Sequence, residues 1–308
     1  MRRIVALLAV GCGGYLTELD GNWAPAAPLP ARVQEMHAAV LSGRIYVAGG
    51  FDTTNQATAA AFRYDPVGDD WERIADLPEA RHHMPLVVVG DTLYAVGGLL
   101  SGSFNGATNL WVYREDLNEW HARAPLPVGR GASAAVAVYG FLVVVGGLGP
   151  TQAHVTATAV YNPATDEWAN FAPIPTLRDH LTAQVVDDIV YVIGGRAHNA
   201  DINFSAVEAF DLNVNVWATR AQMPSRRGGL GSAVIAGRIH TLGGESSQDV
   251  FPHHEVYDPV DNQWFIAPPL PTPRHGLAVA EIGGRIFAIG GGPQPGFAQT
   301  NVVEVFTP

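Results

Sequence analysis

The chain has 308 residues, 47% of them hydrophobic and 15% charged, with 34 Gly and 22 Pro. Gly and Pro spread evenly along an ordered chain leave little room for long helices, whose interiors they disfavour by about 1 and 3 kcal/mol. All 18 basic residues are Arg, and 29 Asp and Glu bring the formal charge to −11, which argues against general nucleic-acid or anionic-membrane binding.

Residues 1–16 place Arg2-Arg3 ahead of an apolar stretch over residues 4–10 and then Gly11-Cys12-Gly13-Gly14. That is the order of a bacterial export signal, and residues 9–12 resemble a loose lipobox with Cys12 as the lipid acceptor. The apolar core is short, and an ordinary strand or a misassigned start are the competing readings. On the export reading, residues 1–19 are signal and tether. The mature protein is then extracytoplasmic, and one lipid anchors it without a spanning segment. Without the signal it is cytoplasmic. Cys12 is the one cysteine, so no intramolecular disulfide is expected, and no apolar run reaches the roughly 18 to 20 residues of a spanning helix.

From residue 20 the chain repeats. Trp23 is followed by Leu29-Pro30 and Arg32, a strand and an outgoing loop with no unit before them. Strands ending in Gly-Gly then recur, with first glycines at 49, 97, 146, 194, 243 and 290, spaced 48, 49, 48, 49 and 47 residues apart. Each pair is followed by a variable loop, then an aromatic with a Trp seven residues on: Tyr64 and Trp71, Tyr113 and Trp120, Tyr161 and Trp168, Phe210 and Trp217, Tyr257 and Trp264. An aliphatic-Pro pair stands six residues after each Trp, and Arg81, Arg130, Arg178, Arg227 and Arg274 stand at ten. Arg32 falls one residue short of that spacing.

One unit reads as four antiparallel strands. Two-residue turns join the first to the second: Ser42-Gly43, Gly90-Asp91, Ala236-Gly237 and Gly283-Gly284 have hairpin chemistry, and Tyr139-Gly140 and Asp187-Asp188 fit it less well. About 48 residues cannot bury their own face, so the units must stack. The last unit lacks its fourth strand and the amino terminus supplies an orphan one. A closed ring accounts for both ends, where an open solenoid would expose them.

The recurring Gly-Gly, Tyr, Trp, Leu-Pro and Arg resemble the kelch repeat over about residues 20–308. The resemblance implies an all-β, six-bladed propeller closed by the amino-terminal strand. Kelch propellers include adaptor and scaffold modules, a sialic-acid mutarotase and the copper enzyme galactose oxidase, so the fold alone leaves function open.

In such a ring the long, blade-specific loops share one face, where a ligand site is expected near the axis. The outgoing loops bring Arg32, Arg81, Arg130, Arg178, Arg226, Arg227 and Arg274 there, with Glu35, His37, His82, His83, Asp179, His180 and His275 beside them. Arg suits two-point capture of a carboxylate, yet an Arg in every unit equally suits hydrogen bonds between blades. His82, His83 and His180 break the repeat and are placed to exchange protons near neutral pH, or to make local loop contacts. The other long loops add Phe104, Arg196, His198, Asp201, Phe204, Glu245, Asp249, Phe251 and Phe297; the phenylalanines would stack on a sugar or peptide, or bury on the next blade. His82-His83 and His253-His254 are adjacent pairs, which point apart in extended chain, so no metal is expected. Galactose oxidase chemistry needs a cysteine crosslinked to a tyrosine, and Cys12 lies outside the propeller. No cofactor signature is present. The expected protein is a monomeric, non-catalytic binder of a protein, peptide or acidic carbohydrate, with a sugar mutarotase or epimerase as the alternative.

Overall fold

Each repeat unit forms one four-stranded antiparallel sheet. In the first, His37–Leu41, Arg44–Ala48, Ala61–Asp65 and Asp70–Arg73 pair in sequence order. The computed structural model describes residues 16–197 and 199–308; residues 1–15 of the expected signal and tether, Cys12 among them, and His198 lie outside the described residues. Among the described residues there are six such sheets and no helix, and hence no helix long and apolar enough to cross a membrane.

Sequence pattern explains the order of strands from axis to rim. The second strand of each blade is flanked by neighbours and covered on both faces, and its Ile45, Tyr46, Val47 and Ala48 are all buried. The fourth strand is the outer edge and buries little besides its Trp. The apolar clusters lie between blades rather than within them: Ile45, Val47, Phe62 and Tyr64 of the first blade pack on Ala278, Phe287 and Val303 of the last.

Ring closure is as the ends of the sequence require. Asn22–Pro25 pairs antiparallel with Val303–Thr307, with Trp23 opposite Phe306, and becomes the fourth strand of the sixth blade. The six repeat tryptophans lock the seams. Trp71, Trp120, Trp168, Trp217 and Trp264 each donate the indole N–H to an alanine carbonyl of the preceding blade, and Trp23 donates to Pro268, at 2.8–3.0 Å. Packing on the ring begins at Leu16, ahead of residue 20: Leu19 N–H donates to Ile266 O at 2.7 Å, and Ile266 N–H to Thr17 O at 3.0 Å.

Two readings of the sequence are corrected. Tyr139-Gly140 and Asp187-Asp188 adopt the same left-handed turn as Ser42-Gly43, with φ of 51° and 78°, and 48° and 63°. The hairpin geometry is imposed by the paired strands even where the residues do not favour it. Nor is a residue missing before Arg32. Val33, ten residues after Trp23, takes the repeat Arg position and accepts a hydrogen bond from Gly291 N–H at 2.9 Å, while Arg32 is exposed.

Candidate functional site

The outgoing loops build two concentric rings, two residues apart in sequence. The outer one is the Arg position. Arg81, Arg130, Arg178, Arg227 and Arg274 are 0–4% exposed. Their carbonyls accept hydrogen bonds at 2.8–3.0 Å from the second glycine of the neighbouring Gly-Gly pair, as in Gly98 to Arg130. The first glycine has no room for a side chain: a Cβ on Gly97 would lie 2.3 Å from the Arg130 carbonyl oxygen.

The guanidinium groups are spent between blades as well. Arg178, Arg227 and Arg274 pair with Glu208, Glu255 and Glu304. Arg81 reaches Glu79 and Asn109 and lies 5.4 Å from the Trp111 ring centroid. Arg130 donates to Ala157 O at 2.8 Å, finds no partner among the described residues for Nε and one Nη, and is pulled down to about 10 by burial. The carboxylate-capture role expected of these five does not fit their placement, because a ligand in solvent cannot reach guanidiniums enclosed between sheets. Arg226 is exposed.

The inner ring stands twelve residues after each Trp and consists of Glu35, His83, Ala132, His180, Gly229 and Gly276. All six are left-handed, with φ between 50° and 67°. Each donates its backbone N–H to the carbonyl of the ring member before it, and Glu35 donates to Gly276, so six bonds of 2.7–2.9 Å close a circle around the axis. The circle turns three chemically active side chains, Glu35, His83 and His180, toward one another. Gly276 makes space for the first: a Cβ there would meet the Glu35 carboxyl carbon at 2.4 Å.

These side chains join others to form a buried polar network. Glu35 Oε2 is 3.0 Å from His83 Nε2, and His83 Nε2 is 2.8 Å from His180 Nε2. His180 Nδ1 contacts Asp179, whose other oxygen is 2.7 Å from His154 Nε2. Glu35 Oε1 lies 3.1 Å from His275 Nδ1, which is 3.5 Å from Glu245. Arg196 donates to Glu245 at 2.6 Å and to His180 Nε2 at 2.7 Å, completing the circuit. Glu35, His83, Asp179, His180, Glu245 and His275 are each at most 9% exposed.

The electrostatics follow from that enclosure. Burial works to raise the Glu35 carboxyl, but His83, with hydrogen bonds from His275 and His83, holds it well below the usual carboxylate range. Burial likewise opposes Asp179, and hydrogen bonds from His154 and His180 carry it far below that range. His180 is pushed down by burial and then by Arg196. Burial works to lower His275, but its hydrogen bond to Glu35 and the charges of Glu35 and Glu245 together raise it. The ring members line an axial cavity of about 90 Å³, walled below by Ala134, Ala183, Ser232 and Ala278 of the inner strands.

His82 and His83 do not point apart as extended neighbours would. The left-handed backbone of His83 turns its ring so that the two Nδ1 atoms touch. His253 and His254 do diverge: His253 stacks on Phe251 at 5.2 Å, while His254 Nε2 meets His240 Nδ1 at 2.8 Å. His82 is buried and stacks under Phe51 at 3.9 Å. Around Phe51 stand Phe104 and Phe297, 5.9 and 5.1 Å away, which are 36% and 51% exposed. Phe204 is half-buried and lies outside this group of ring contacts.

Phe51 and His154 escaped sequence reasoning, as did the joint role of Arg196 and Glu245. A signal existed, since the residue directly after Gly-Gly is Phe51, Leu99, Leu148, Arg196, Glu245 or Gly292, and charge appears in two blades where others are apolar. On the other side of the axis Leu99, Ala132 and Leu148 form an apolar cluster of their own.

The Attractin/LZTR1 beta-propeller family model matches residues 45–292. The Kelch-like protein terF of Aspergillus terreus is 32% identical over 256 residues, 78% of this chain and 45% of that protein. Kelch-like protein 36 of Rattus norvegicus is 31% identical over 245 residues, 75% of this chain and 39% of that protein. The chain thus spans less than half the length of these relatives. A solved structure described as that of YjhT superposes with a TM-score of 0.80 at 14% identity, covering 92% of this chain and 97% of that one, which speaks to the fold alone. With its repeat register, six-bladed ring and these matches, the chain belongs to the kelch-repeat β-propellers, in the Attractin/LZTR1 β-propeller family.

Proposed function

We propose that the long-loop face holds a protein or peptide and performs no chemistry on it. The observation that carries this reading is the rim group in which Phe104 and Phe297 expose their rings above the buried Phe51 and His82. Aromatic rings on a rigid base give large contact area at little entropic cost. An acidic glycan is the weaker ligand class, because the Arg set that would take its carboxylates is buried and the chain carries −11.

Selection of ligands from a displayed peptide library, with a glycan array in parallel, tests the reading. Peptides should be recovered that bind the double variant Phe104→Ala/Phe297→Ala at least tenfold more weakly, with the thermal midpoint unchanged, at about 1–2 kcal/mol per buried aromatic. Peptides that bind the double variant fully, or ligands found only among acidic glycans, would overturn it.

The mutarotase alternative draws on Glu35, His83 and His180, which form an acid-base set. These three are at most 9% exposed and are engaged with one another and with Asp179, His275 and Arg196, which leaves none of them turned to a sugar. Sialic-acid anomer exchange followed by NMR should therefore run at its uncatalysed rate. An exported, lipid-anchored form of the binder is supported by Arg2-Arg3, the apolar stretch and Cys12. The mass of the mature amino terminus from a bacterial host tests it, and an unprocessed Met1 counts against it.

A further inference from the structure

The axial network gathers three buried carboxylates, Glu35, Asp179 and Glu245, with imidazoles around them and Arg196 against the last two. Buried charged groups are kept where they are paired with one another or hold an ion.

Geometry favours one position for it. Glu35 Oε2, His83 Nε2 and His180 Nε2 converge, with every pair within 4.8 Å. The two contacts along this set measure 3.0 and 2.8 Å. Both are hydrogen-bond lengths, shorter than the roughly 3.4 Å between neighbouring ligands of a tetrahedral ion at about 2.0–2.1 Å, so the side chains need spread by only about half an ångström to take one. All three residues line the axial cavity.

The surroundings are those of a metal site too. Asp179 contacts His180 Nδ1, which fixes that ring with Nε2 as the ligand atom. The second Glu35 oxygen is engaged by His275 Nδ1 at 3.1 Å. In the metal-free arrangement Arg196 donates to His180 Nε2 at 2.7 Å and stands where an ion must compete; its bond to Glu245 at 2.6 Å gives it another place to rest.

We propose that Glu35, His83 and His180 form a divalent transition-metal site, of the two-histidine, one-carboxylate type suited to Zn²⁺ or Co²⁺ rather than Mg²⁺. The proposal stands on the axial network and is independent of the rim reading above. Its ligands come from three blades, which is why no metal spacing is visible in the sequence.

The test uses the full chain after dialysis against chelator. Titration calorimetry with Zn²⁺ and visible absorption with Co²⁺ should both saturate at one ion per chain, Zn²⁺ should raise the thermal midpoint, and Mg²⁺ at the same concentration should do neither. His83→Ala and His180→Ala should each weaken Zn²⁺ binding at least tenfold, while His121→Ala, on the exposed outer strand, changes nothing. Glu35→Gln keeps the side-chain volume and should weaken binding likewise if a histidine variant does not fold. Absence of a saturable one-to-one Zn²⁺ phase in the wild-type protein overturns the site. So does undiminished affinity in any folded variant of the three ligands.

Discussion

The two rings of the outgoing loops are two residues apart in sequence and opposite in character. Ten residues after Trp, five blades carry the same Arg, buried and turned into the seam; twelve residues after Trp, the blades carry Glu, His, Ala, His, Gly and Gly. Both rings are held by backbone hydrogen bonds repeated from blade to blade, the outer one from the Gly-Gly pairs and the inner one from member to member. Repetition of a side chain marks work that every seam needs, whereas variation at a structurally constant position marks chemistry, because only at the axis do six loops converge within hydrogen-bond reach.

The largest break in that comparison comes from the Arg ring. Arg178→Met strands Glu208 without its cation and should cost about 3–5 kcal/mol. Arg130→Met removes a guanidinium that has no carboxylate and should cost less than half as much. Denaturant unfolding of the pair measures both, and equal losses would mean that the ion pairs do not distinguish the seams.

On the inner ring, Gly276→Ala places a methyl group against the Glu35 carboxyl in a left-handed residue, for roughly 2–3 kcal/mol. Adding Glu35→Gly should recover part of that loss; no recovery would show that backbone conformation, not the carboxylate, sets the requirement.

Acid should loosen a seam outside both rings. Burial, followed by Arg238, lowers His240 to about 4, and burial, followed by His240, lowers His254 to about 3. Folding therefore favours their neutral forms: the stability they contribute is full above an unfolded value of about 6.5 and is lost as pH falls below it, by about 1.4 kcal/mol per pH unit for each. Thermal midpoints between pH 7 and 5 should fall with this sign, and His254→Leu should make the slope shallower by up to that amount, His37, His82 and His180 being lowered in the same direction; an unchanged slope would exclude His254 as a contributor.

The smallest effect belongs to Arg32. It is exposed and out of register with the Arg ring, so Arg32→Ala should stay within about 0.5 kcal/mol of the wild type in the same unfolding measurement.

Much of this is legible in the sequence alone. Six Gly-Gly strands at a constant interval and an orphan Trp23 specify the blade, its number and its closure, because turns, strand alternation and the fit of glycine against backbone are local. The Arg ring was legible as a position but ambiguous in role, since sequence does not report burial. Arg32 shows the hazard of reading identity instead of register: Val33 holds its place.

The site itself was decided by tertiary structure. His83 and His180 are 97 residues apart and Glu35 and His275 are 240 apart, and each pair meets only when the ring has closed. Adjacency in sequence was misleading at His82 and His83, where one left-handed residue reverses the expected divergence. Local chemistry writes the repeat into the sequence because every unit must solve the same packing problem. The axial network is a relation between units, and its charge balance exists only where six chains of local choices face one another across a closed axis.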